Sequence, residues 1–185
     1  MGGYNTDLQK YLAGKVDLNN AKNVLDIGFD DGALFRMLKQ RNPKIKTFGI
    51  EKGDKFGKKV GKNKMDYVFM MDVIEHLTYD EQIDYFRKIR GSISDEGMFI
   101  ITTPNINNLH QSISFWDEPT HTRPVTDQTI RRLAADTGMR LSKIEQFHFF
   151  KNPVKIIANV VLGLETSNKK IYFLQKDKEY KQKKQ

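Results

Sequence analysis

The chain has 185 residues, 38% of them hydrophobic and 29% charged, with no cysteine and a net charge of +8. That length fits one domain with enough apolar material for a packed interior, and the missing cysteines exclude disulfides, thiolate metal sites and cysteine nucleophiles. The positive balance favours anionic partners, and no run reaches the ~18 consecutive apolar residues of a membrane span.

Residues 23–27 (NVLDI) read as a short buried strand, and the turn Gly28-Phe29-Asp30-Asp31-Gly32 leads into helical spacing over residues 33–38 (ALFRML). Residues 46–50 (KTFGI) and 67–71 (YVFMM) read as the second and third strands, joined by a lysine-rich stretch over residues 52–64. Thr78 and Glu81 form a capping-box signature ahead of a helix carrying Ile83, Phe86 and Ile89. Gly97 turns into a fourth strand over residues 98–102, followed by a long polar connection over residues 104–124 of the kind that selects substrates. Thr126 caps a helix running to Ala135 and ending at Gly138, and residues 141–149 and 171–175 read as two closing strands. Between them, residues 154–164 (VKIIANVVLGL) are apolar nearly all round and predict a buried helix. Residues 1–175 are expected to be a single domain, and residues 176–185 a basic tail carrying Lys176, Lys178, Lys181, Lys183 and Lys184. A soluble, cytoplasmic protein is expected.

Strand, glycine turn and helix together make an anion or nucleotide site, because free N–H groups and the helix dipole face the ligand. Gly28 lets the backbone pass close to a ligand, Gly32 permits close helix packing, and Asp26 can accept a hydrogen bond from an amine. Alone, the turn fits a plain connection equally well. Glu51 follows the second strand about twenty residues further on, where a carboxylate can accept two ribose hydroxyls; it also fits an exposed charge among Lys52, Asp54 and Lys55.

Asp72, Glu75 and His76 are spaced i, i+3, i+4, so a helical turn would bring all three to one face. With His121 from the long connection they offer the mixed oxygen and nitrogen set that suits Mg²⁺, Mn²⁺ or Zn²⁺. The same residues also fit a helix cap or the wall of a polar pocket. Phe115 and Trp116 fit either a cover over the substrate or packing anchors, and Arg123 either a clamp on a substrate anion or a partner for Asp117 or Glu118.

VLDIGFDDG, FGIEKG, MDYVFMMDVIEHL and GMFIITTPN, in this order, resemble the motifs of class I S-adenosylmethionine-dependent methyltransferases. WDEPTHTRPVTDQTIRRLAADTGM resembles the loop and helix of the small-molecule and glycan O-methyltransferases among them. The resemblance implies a three-layer α/β/α Rossmann-like sandwich with a mostly parallel sheet. It implies Asp26, Gly28 and Gly32 around the methionine moiety of S-adenosylmethionine, Glu51 on its ribose, and Asp72 and Val73 beside the sulfonium. Asp30 replaces the middle glycine of the family's turn and joins this cofactor-binding set. Only fourteen residues separate Glu51 from Asp66, where the family fits a further helix, strand and acidic adenine contact, so the sheet is expected to be shortened between its second and fourth family strands.

Asp72, Glu75, His76 and His121 also resemble the E-x-x-E-H and distant His of metal-assisted O-methyltransferases, with Asp72 in place of the first Glu. A metal there would acidify and orient a substrate hydroxyl, or His76 or His121 would act as the base. The expected activity is methyl transfer to an oxygen of a small hydroxylated metabolite, a sugar or a lipid-linked glycan. A methyltransferase-like binding or scaffold protein and an RNA methyltransferase are the alternatives, nucleic acid being the less favoured partner. A nicotinamide dehydrogenase would leave the EHL and PTHTRP segments without a role.

Overall fold

In the computed structural model, which describes residues 3–149 and 166–180, strand β1 (Asn23–Ile27) lies between β2 (Lys46–Ile50) and β3 (Met65–Met71), parallel to both. β4 (Ile93–Pro104) continues the parallel run beside β3. β6 (Lys169–Lys176) then inserts antiparallel between β4 and β5 (Met139–Phe147), giving the order β2-β1-β3-β4-β6-β5. The mostly parallel sheet agrees with the sequence expectation.

Burial on both faces explains why these strands read as continuous apolar runs. Val24, Phe69, Ile100 and Ile171 face one core, covered by Leu8 and Leu12 of α1 (Gly3–Lys15) and by Leu34 and Leu38 of α2 (Ala33–Arg41). Their neighbours Leu25, Val68, Phe99 and Tyr172 face the other, under Phe86 and Ile89 of α4 (Tyr79–Ser92) and Ile130 and Leu133 of α6 (Asp127–Thr137). Alternation along each strand therefore separates the two cores and produces three layers.

β1 and β2 have the bounds their sequence pattern predicts; β3 begins two residues earlier and β4 five. A register shift lets Met65 pair with Ile93 and Tyr67 with Met98, so Gly97 lies inside β4 rather than ahead of it. The connection over residues 104–124 is not all loop: Asn108 accepts the N–H groups of His110 and Gln111 and starts α5 (Leu109–Asp117), whose Phe115 is buried. As the fourteen-residue spacing from Glu51 to Asp66 predicts, no strand lies beyond β2 among the described residues, and the short α3 (Phe56–Val60) bridges β2 to β3. The apolar stretch 154–164 lies outside the described residues. Among them, no helix is long and apolar enough to cross a membrane.

The chain leaves β1 to one side and β3 to the other, so the strand order reverses between them and opens a crevice at their carboxyl ends. α4, which follows β3, is fixed at its start by a complete capping box: Thr78 N–H donates to Glu81 Oε2 at 2.7 Å and Glu81 N–H returns to Thr78 Oγ1 at 3.4 Å. Thr78→Ala is expected to lower the unfolding free energy by about 1 kcal/mol, read from the midpoint of urea denaturation at unchanged slope.

Candidate functional site

The turn after β1 forms one wall of the crevice. Gly28 (φ 74) and Gly32 (φ 71) take the left-handed region, and so does Asp30 (φ 46), one of the few side chains that tolerate it. Gly28 has no room for a side chain, since a Cβ there would lie 2.5 Å from Val73 Cγ2. Gly49 in β2 is restricted in the same way by the ring of Phe29, at 2.5 Å. Glu51 is exposed, and its Oε1 accepts the Asp30 N–H at 3.0 Å, tying the turn to the end of β2. Beneath the turn, Asp26 is fully buried and neither carboxylate oxygen has a hydrogen-bond partner. Burial, and then the negative charge of Glu51, hold its pKa well above the usual carboxylate range.

The opposite wall is the turn after β3. Asp72 adopts φ 53, and its carboxylate accepts from Thr102 Oγ1 at 3.1 Å and pairs with Lys169 Nζ at 2.7 Å. A single 3₁₀ turn, Ile74–His76, follows. Glu75 on it is 1% exposed, again with both oxygens unpartnered. Burial, and then the Asp72 charge, push its pKa up to about 8 against the opposing pull of Lys169.

The segment after α5 closes over this turn. Thr122 donates its N–H (2.9 Å) and Oγ1 (3.0 Å) to Glu75 O, and its Oγ1 also reaches Leu77 O at 2.7 Å. His76 Nδ1 lies 3.2 Å from Thr120 O, and His121 Nδ1 lies 2.8 Å from Phe115 O. His76 Nδ1 is also 2.9 Å from Thr120 Oγ1, which can donate or accept; a carbonyl can only accept, so the His121 contact favours the tautomer with the proton on Nδ1 and the Nε2 lone pair free. The two imidazoles stand 4.7 Å apart, and Phe115 stacks on His121 at 4.3 Å.

Glu75, His76 and His121 each offer a ligand atom within 4.8 Å of the others, a set able to hold a divalent cation. Asp72, grouped with them by spacing, does not join them. Its left-handed backbone puts it ahead of the 3₁₀ turn, so the helical i, i+3, i+4 geometry does not include it. Arg123 lies over the ring of Tyr79 at 5.2 Å, and Trp116 projects into solvent. Lys169 escaped the sequence reading, because its partner Asp72 is 97 positions away and no local pattern links them. Thr120 and Thr122 flank His121 in PTHTRP and were legible there as neighbours, without a role.

Comparisons extend this geometry. A family profile described as a methyltransferase domain matches residues 3–144. A search of curated proteins gives no match. Among solved structures, an S-adenosylmethionine-dependent methyltransferase from Archaeoglobus fulgidus superposes with a TM-score of 0.69 at 18% identity, over 91% of this chain and 94% of that one. The mitomycin 7-O-methyltransferase MmcR gives 0.71 at 11% identity, over 95% of this chain but only 55% of its own. The cyclopropane synthase MmaA2 from Mycobacterium tuberculosis gives 0.64 at 14% identity, over 93% and 83%. At such identities the structural likeness speaks for the fold alone. The profile covers well over half the residues, and the crevice between β1 and β3 lies within it: the chain belongs to the class I S-adenosylmethionine-dependent methyltransferases.

Proposed function

We propose that the chain methylates an oxygen of a small hydroxylated metabolite, a sugar or a lipid-linked glycan, with a divalent cation assisting at Glu75, His76 and His121. The observation that carries this reading is the pair of buried, unpartnered carboxylates, Asp26 and Glu75, on opposite walls of one crevice. Buried polar atoms without partners are rare unless a ligand completes them.

The residues of the first wall fit the cofactor's methionine end. Asp26 is positioned to accept from its amine, and Gly28 and Gly32 let the backbone approach it. Glu51, anchored by the Asp30 N–H, keeps its second oxygen for a ribose hydroxyl. Asp72 and Val73 border the space opposite, with Lys169 neutralising Asp72. When bound, S-adenosylmethionine supplies a methyl group on a cationic sulfur, open to in-line attack by an oxygen nucleophile.

On the second wall, Mg²⁺, Mn²⁺ or Zn²⁺ held by Glu75, His76 and His121 would lower the pKa of an acceptor hydroxyl and orient it. Without a cation, the Nε2 lone pair of His76 or His121 accepts the hydroxyl proton, and Thr120 and Phe115 carbonyls hold the resulting imidazolium through Nδ1–H. Oxygen as the acceptor draws support from the name of the mitomycin 7-O-methyltransferase among the structural neighbours. A binding or scaffold protein is the competing reading, motivated by the short β2–β3 connection at the adenine end.

Calorimetric titration is expected to give micromolar binding of S-adenosylmethionine and S-adenosylhomocysteine, weakened at least tenfold in Asp26→Ala; no binding of either ligand would favour the scaffold. Mn²⁺ titration followed by electron paramagnetic resonance is expected to show one bound ion, lost in His121→Ala; no bound ion in the parent chain would remove the metal from the proposal. Because the folded pKa of Glu75 lies above its unfolded value, the unfolded chain releases this proton first as pH rises. Without metal, stability should therefore fall between about pH 4.5 and 8, and Glu75→Gln should flatten that slope in thermal melts.

A further inference from the structure

β6 enters the sheet at the carboxyl ends of the parallel strands, where its first residue, Lys169, pairs with Pro104 at the end of β4. From there Lys169 Nζ reaches Asp72 Oδ2 at 2.7 Å, in the turn that follows β3. The lysine side chain is 12% exposed and the aspartate 25%, so the pair is largely withdrawn from water. Thr102 completes the hold on Asp72: its Oγ1 donates to Asp72 Oδ1 at 3.1 Å, and its carbonyl accepts the Asp72 N–H at 3.1 Å. Val73, the next residue, lies against Gly28 of the opposite wall, so the ion pair borders the crevice.

Holding the sheet together does not account for the pair. β6 is already bonded along its length to β4, from Phe99–Leu174 to Pro104–Lys169, and to β5 on its other side. An ion pair withdrawn from water returns little net stability, because the cost of desolvating two charges offsets most of their attraction. Its effect on the surroundings is larger. With Lys169 in place the Asp72 carboxylate presents almost no net charge to the crevice, whereas alone it would set a fixed negative charge there, in a medium of low dielectric.

That difference bears on methyl transfer, in which the electron pair of the broken carbon–sulfur bond stays on sulfur and a sulfonium becomes a neutral thioether. A lone anion beside the sulfur would bind the sulfonium more tightly than the thioether, and would lose that attraction as the transition state disperses the charge. We propose that Lys169 is a positioning residue that cancels the charge of Asp72, so that the crevice holds S-adenosylmethionine without stabilising its positive charge. This role rests on Asp72 lying beside the sulfonium, as in the function proposed above, and needs no metal.

S-adenosylmethionine and S-adenosylhomocysteine differ at sulfur by one methyl group and one charge, so the ratio of their dissociation constants reads the effect. It is measured by calorimetry on the 185-residue chain without metal. Lys169→Met should shift the ratio at least ~5-fold in favour of S-adenosylmethionine, and Asp72→Asn, which leaves the lysine unopposed, should shift it by a similar factor the other way. The double variant Lys169→Met, Asp72→Asn should return to the parental ratio, and Lys169→Arg should keep it. Loosening the start of β6 would weaken both ligands alike and cannot produce shifts of opposite sign. An unchanged ratio in Asp72→Asn, or shifts of the same sign in the two single variants, would overturn the proposal. If the parent chain bound neither ligand, the cofactor site itself would fall, and the role of Lys169 with it.

Discussion

Covering a parallel sheet with helices on both faces leaves little interior room for polar side chains, so the polar chemistry of this fold gathers where the strands end. The chain leaves β1 and β3 toward opposite sides of the strand order, and the turns after these paired strands approach closely enough that Gly28 has no room for a side chain against Val73. Asp26 sits in β1 just before this approach and Glu75 on the 3₁₀ turn just after it. Each of these carboxylates is held in a neutral-favouring environment by burial and by one nearby negative charge, Glu51 for the first and Asp72 for the second. The two walls are thus built alike: a buried acid below, and a charged residue with an anchored carboxylate near the rim.

The second wall is assembled from segments far apart in sequence. Thr122 clamps the Glu75 carbonyl, Thr120 and Phe115 orient the two imidazoles, and Phe115 itself belongs to α5. A connection that looks like loop in the sequence is therefore ordered by the same hydrogen bonds that arrange the candidate cation ligands. On the β2 side, the five-residue α3 is the whole helical connection to β3, so that edge of the sheet is bounded by β2, Glu51 and the lysine-rich stretch rather than by another strand among the described residues.

Local patterns carried the parts of this architecture that local forces determine. β1 and β2 are short, apolar and bounded by polar or glycine residues, and the α4 capping box is complete in four residues; each could be read without tertiary knowledge. α1 and α5 could not, because one has an inconspicuous amphipathic pattern and the other turns its apolar ridge to solvent, against the rule that apolar periodicity marks a buried face. In the site, Glu75 and His76 were legible as neighbours, and His121 through its resemblance-bearing motif. The place of Asp72 was not, since spacing presupposes a helix that the left-handed backbone at that residue interrupts, and its ion pair with Lys169 is purely tertiary.

The position of β6 carries a consequence for how the molecule is made. Although it is the last of the described strands in sequence, β6 lies between β4 and β5 rather than at the edge, and it also delivers Lys169 to Asp72. During synthesis β5, ending at Phe147, emerges ahead of β6, which begins at Lys169, so β5 has no partner until the strand that pairs with it follows. The β4–β6–β5 pairing and the Lys169–Asp72 ion pair beside the candidate site therefore share one strand, so the far side of the sheet and that ion pair form together.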